Sequence, residues 1–188
     1  EFAPQVGDFV AFGEPLFLIY GDRAVDADRL RDALDLGSER TMEQDPTFAF
    51  RITIDIALRA LSAAINDPTT AVLAIDQLHR MLRAVGEKHL RTDELRDEEG
   101  WLRVIFRTPN WEDFVHISCT EIRSCGAGHV QIARRLRALL ENLIASLPCH
   151  RRPALAEELA RLDQAIAALY SIPADLALAS VPDSQGLG

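Results

Sequence analysis

Phe48-Ala49-Phe50-Arg51-Ile52-Thr53-Ile54-Asp55-Ile56-Ala57-Leu58-Arg59-Ala60-Leu61-Ser62-Ala63-Ala64-Ile65-Asn66-Asp67-Pro68 is the stretch whose reading decides the fold. Its polar members Arg51, Asp55, Arg59, Ser62 and Asn66 follow at steps of four, four, three and four, the spacing of one face of an α-helix. The rest is almost entirely apolar, which predicts a helix over residues 48–65 that belongs in the protein interior. On that reading Ile52, Ile56, Leu58 and Leu61 are buried, and the Arg51–Asp55–Arg59 ladder is at least partly desolvated. Buried charge persists only when it is paired or used, so the stripe is the first place to look for a site.

The flanking residues set the corners. Asp45-Pro46 reads as a capping Asp followed by Pro at the first helical position, and Asp67-Pro68 repeats the signal. Asn66 is suited to the left-handed turn that ends one helix before the next begins. Asn66-Asp67-Pro68 is therefore expected to be the corner of an αα-hairpin, with Val72, Ile75, His79, Leu82 and Val85 on one face of the second helix.

Upstream, residues 8–12 and 16–20 are short apolar runs around Gly13-Glu14-Pro15, which suggests a β-hairpin. The spacing resembles lipoyl-like strands but lacks a carrier lysine. Residues 26–36 suggest a short helix capped by Asp26 and stopped at Gly37. Residues 88–100 read as a charged loop and residues 101–108 as a strand. A helix is expected from Asn110 or Trp111 to about Ser124. Two amphipathic helices follow, striped by Ile132, Leu136, Leu139, Leu143 and Leu147 and by Leu155, Leu159, Leu162, Ile166 and Leu169. The fold class is mainly α with a small β component. Its expected parts are a hairpin segment (1–22), a helical domain (23–172) and a weakly structured tail (173–188).

A net charge of −9 disfavours a nucleic-acid partner and an anionic-lipid helix. No apolar run approaches the roughly 20 residues of a spanning helix. The opening Glu1-Phe2-Ala3-Pro4 reads as that of an excised fragment, and three cysteines suggest a reducing compartment.

The run from Arg51 through Asp55-Ile56-Ala57-Leu58-Arg59-Ala60-Leu61-Ser62 to Ile65-Asn66-Asp67-Pro68-Thr69-Thr70-Ala71 resembles the signature of a bacterial membrane-protein family known as domain of unknown function 2254. Gly7-Asp8-Phe9-Val10 with Gly13 and Pro15-Leu16, the approach Arg40-Thr41 to Gln44-Asp45, and the helix over residues 131–147 fit the same family. The resemblance implies several N-terminal spans outside this chain, an inner-membrane location, a soluble region facing the cytoplasm, and no assigned activity. Ala63-Ala64 stands where Pro-Gly is common, so the helix is expected to run closer to Asn66.

For function, the stripe has two readings. It is a structural ion-pair ladder, or Arg51 and Arg59 clamp a small anionic ligand with Asp55 orienting them, beside Ser62, Asn66, Asp67 and the backbone N–H groups of Thr69 and Thr70. His116, Cys119, Cys125 and His129 are the right types for zinc at poor spacing, so neither metal nor cofactor is expected. A hydrolase would use Ser62 or Thr70 with His79 and Asp76 or Asp55, without a nucleophile elbow. The expectation is a non-enzymatic region that binds an anion or mediates assembly with its own transmembrane region or in a homo-oligomer; the alternatives are an enzyme with an Asp acid/base and a purely structural oligomerisation module.

Overall fold

The computed structural model describes residues 1–21, 24–42, 45–90 and 93–185. By contact the chain forms two compact units, each built from two stretches: residues 1–48 with 91–109, and residues 49–90 with 110–188.

The first unit contains α1 (Ala27–Asp32), where the Asp26 side chain accepts from the N–H groups of Asp28 and Arg29. The helix ends at Asp32 with Ala33 as its C-cap, short of the expected stop at Gly37. None of its residues is buried, so nothing prolongs it beyond the reach of its own cap. The expected hairpin between residues 8–12 and 16–20 does not form. Leu16 and Leu18 are instead bound by the chain's first residues: the Ala3 N–H donates to Leu16 O (3.0 Å), the Leu18 N–H donates to Glu1 O (2.8 Å), and Phe2 and Phe17 form an isolated bridge. Residues 4–15 become a wide loop closed by two small polar turns. Gly7 in it has φ +89°, and a Cβ there would stand 2.5 Å from Asp45 Oδ2, so only glycine fits.

The expected charged loop holds a strand. β1 (Glu94–Arg96) pairs antiparallel with β2 (Leu102–Ile105), and a register irregularity falls between Leu95 and Arg96. Charged residues on a short exposed strand erase its apolar alternation, which is why the composition reads as loop. The Phe2 N–H extends the ribbon by donating to Ile105 O (2.7 Å).

The second unit is a helical bundle. α2 (Pro46–Ala60) opens at the unit boundary, where the Thr47 N–H donates to Asp45 Oδ1 (2.9 Å). α3 (Pro68–Gly86), α4 (Trp111–Gly126), α5 (Val130–Ser146), a 3-10 turn (Cys149–Arg151), α6 (Arg152–Leu169) and α7 (Pro173–Ala179) follow. α4 begins with a reciprocal capping box between Asn110 and Asp113. α5 is the axis of the core: Ile132, Leu136, Leu139, Leu143 and Leu147 are all buried, as the stripe predicts, and α3 and α6 pack on it. Leu155, Leu162 and Ile166 are buried from α6, while Leu169 is exposed.

The tail is more ordered than its composition suggests. α7 buries Ala179, and the Arg135 guanidinium donates to the carbonyls of Asp183 (3.2 Å) and Ser184 (3.1 Å). Residues 186–188 of that expected tail, and Gln44 of the family-like approach, lie outside the described residues.

Candidate functional site

α2 is not an interior helix. Phe50, Ile54, Ala57 and Leu61 are buried on one face, with Phe50 against Phe114 (ring centroids 5.1 Å). Ile52 and Ile56, expected to be buried, are 36 % and 49 % exposed. The helix lies at the margin of the bundle, so only one of its two apolar faces meets a partner.

The helix also stops at Ala60, earlier than expected. The Asp67 N–H donates back to Ala60 O (2.8 Å) and the Ser62 hydroxyl to Arg59 O (2.7 Å), so the returning corner captures the last carbonyls. Asn66 takes the left-handed conformation, φ +47°, as its position predicts. Asp67 caps α3: Thr70 donates to its carboxylate from both the backbone (3.1 Å) and the hydroxyl (2.5 Å), which together hold the Asp67 carboxyl below the ordinary range. The start of α3 is thus occupied by the protein's own carboxylate.

The expected ladder forms in half. Arg51 lies 2.7 Å from Asp55, and its two terminal nitrogens grip both oxygens of Glu121 on α4. Glu121 raises the proton affinity of Arg51 more than Asp55 does, and Arg51 in turn pulls the Glu121 carboxyl below the usual carboxylate range. Arg59 is exposed, and no described residue pairs with it. In the last turn of α2 its charge complements the helix dipole.

The remaining candidates are dispersed. His79 Nε2 meets Asn142 Oδ1 at 2.9 Å, and Asp76 accepts from Arg135 at 2.5 Å. Ser62 and Thr70 bond elsewhere, so no described nucleophile–His–Asp relay is assembled. His116 pairs with the Thr120 hydroxyl (3.0 Å), and Cys119 is buried, which pushes its thiol far up. Sequence reasoning missed Glu121, which is 70 positions from Arg51 and leaves no local signal. It also missed Arg151, whose guanidinium lies over the Trp111 ring (5.4 Å) and donates to Gly86 O (3.3 Å) and Lys88 O (2.8 Å), closing the end of α3.

Residues 1–142 match the protein family described as "Predicted membrane protein (DUF2254)". The chain belongs to this family. It is similar, at 36 % identity over 105 residues, to Uncharacterized protein Mb1321c of Mycobacterium bovis (strain ATCC BAA-935 / AF2122/97) and to Uncharacterized protein Rv1290c of Mycobacterium tuberculosis (strain ATCC 25618 / H37Rv). The matched residues are 56 % of this chain and 20 % of each relative, so the chain spans about a fifth of the length of the curated relatives it matches. No solved structure matches. For this DUF2254 member, no helix among the described residues is long and apolar enough to cross a membrane.

Proposed function

We propose that this region of a DUF2254 protein acts by assembly, docking the outer face of α2 against a second copy of the same region. The observation that carries the reading is the pair Ile52 and Ile56, one helical turn apart and facing water. Isoleucines at that spacing form a stripe suited to a helix-to-helix contact. The unit that bears them holds thirteen acidic and twelve basic residues, so two copies meet without net repulsion. Arg59, with an open guanidinium at the end of the stripe, is the group placed to pair across such an interface. The three free thiols support a cytoplasmic location for it.

Anion recognition through the same stripe has weaker support, because two carboxylates already neutralise Arg51 and Asp67 fills the α3 start. Arg59 alone remains for it.

Sedimentation velocity across a concentration series is the test. We expect concentration-dependent dimerisation that is lost in Ile52→Ser/Ile56→Ser, while the circular dichroism spectrum and the melting temperature measured where the parent is monomeric stay close to the parent's. A parent that remains monomeric throughout, or a double variant that dimerises as well as the parent, overturns the reading. A specific rise in melting temperature with phosphate or sulfate over chloride at equal ionic strength, lost in Arg59→Lys, would favour the anion reading instead.

A further inference from the structure

The first unit carries a feature that the assembly reading leaves unused. In the wide loop over residues 4–15, Phe9 is 91 % exposed and Phe12 fully so, with Val6 also in water. A lone exposed phenylalanine needs no explanation, but two on one ordered loop do. The loop is held by its own polar groups. The Gln5 N–H donates to Asp8 Oδ2 (2.8 Å) and the Asp8 N–H to Gln5 O (3.0 Å). The Ala11 N–H donates to Glu14 Oε2 (2.9 Å) and the Glu14 N–H to Ala11 O (3.1 Å). Both carboxylates fold back onto backbone donors, and the rings between them point away.

We propose that Phe9 and Phe12 form a hydrophobic anchor that seats this loop in the headgroup region of an electrically neutral bilayer surface. Three observations support lipid over protein. The two turns satisfy the backbone N–H groups of Gln5, Asp8, Ala11 and Glu14 within the loop, so fewer donors need a partner when it settles among hydrated headgroups. Phenylalanine, with Trp and Leu, is among the side chains that interfacial segments bury at the boundary of headgroups and acyl chains. The chain belongs to a predicted membrane-protein family and spans about a fifth of its relatives, so the unit works on a polypeptide that itself meets a bilayer. Charge then selects the lipid. The unit has sixteen acidic against eight basic residues, and none of the basic ones precedes Arg23, so an anionic surface repels it.

The test is co-sedimentation of the whole chain with sucrose-loaded vesicles of phosphatidylcholine, and of phosphatidylcholine with one third phosphatidylglycerol, at millimolar lipid. We expect binding to the neutral vesicles, weaker binding to the anionic ones, and a partition coefficient lower by about tenfold or more in Phe9→Ser/Phe12→Ser, given the transfer free energy of two rings. In a second measurement, Phe12→Trp should gain fluorescence that bromine-labelled phosphatidylcholine quenches. The proposal is overturned if the double Ser variant partitions like the parent or if binding grows with phosphatidylglycerol. It is equally overturned if the parent ignores both vesicles; self-association through Phe9 and Phe12 would then make the loop a protein contact.

Discussion

Arg51 Nη2 lies 3.2 Å from Glu121 Oε2, joining α2 to a helix whose pairing residue stands 70 positions further along the chain. The grip adds to the buried face of Phe50, Ile54 and Ala57, which sets the rotation of α2 and with it which isoleucines face water.

Both partners are over one third exposed, so Glu121→Gln should cost less than about 1 kcal/mol. The sign with pH follows from the depressed carboxyl of Glu121. Its contribution is complete above the ordinary carboxylate range, near pH 4.3, and disappears as pH falls through the lower folded value. Carboxyl-detected NMR titration of the parent should place Glu121 below the ordinary glutamate midpoint. An ordinary midpoint would show that the grip is not held in solution.

The two faces of α2 should respond very unequally to truncation. Ile54→Ala removes a fully buried side chain and should cost about 2–5 kcal/mol. Ile56→Ala should change stability by no more than about 0.5 kcal/mol. Urea denaturation midpoints distinguish the two directly, and equal losses would mean that the outer face is covered in the monomer.

Glu158 is 2 % exposed, with Arg123 at 2.6 Å and Arg161 at 3.5 Å. Arg123→Ala strands most of that buried negative charge and should cost about 3 kcal/mol, the low end of the usual range because Arg161 stays. Arg123→Met with Glu158→Leu removes both charges and should recover much of the loss. Thermal unfolding of the single and double variants checks the order; a double variant no better than the single refutes it.

His79 titrates below its ordinary value because burial disfavours its charged form, with Arg83 and Arg135 adding to the effect and Asn142 and Asp76 opposing it. The unfolded chain therefore takes up the proton first. The stability that depends on neutral His79 is complete above about pH 6.5 and is lost as pH falls from there to the lower folded value. His79→Gln should flatten that part of the stability–pH curve, as followed by melting temperature between pH 5 and pH 8. An unchanged slope would assign it to other groups.

Legibility tracked the range of the interaction. The Asn66-Asp67-Pro68 corner, the Asp26 and Asp45 caps, the Asn110 start of α4 and the stripe of α5 were readable because capping and periodicity act within one or two turns. The burial of α2 was not. Its apolar residues cover two faces, and periodicity says where a face is but not whether a neighbour covers it. Ala63-Ala64 favours helix locally, yet the Asp67 N–H reaching back to Ala60 ends the helix. In the stripe, Asp55 as partner of Arg51 was readable from the four-residue step, whereas Glu121 was not.

Because each unit is stitched from two separated stretches, synthesis from the N-terminus completes them in a definite order. Everything the first unit needs has left the ribosome once residue 109 emerges. The α2–α3 hairpin, made earlier, must wait for α4, α5 and α6 before Phe50, Ile54, Ile75 and Leu78 have anything to pack against. During that interval the nascent chain exposes these apolar side chains. A nonsense mutation before α5 would leave this hairpin permanently without its partner, and quality-control proteases rather than function would decide its fate.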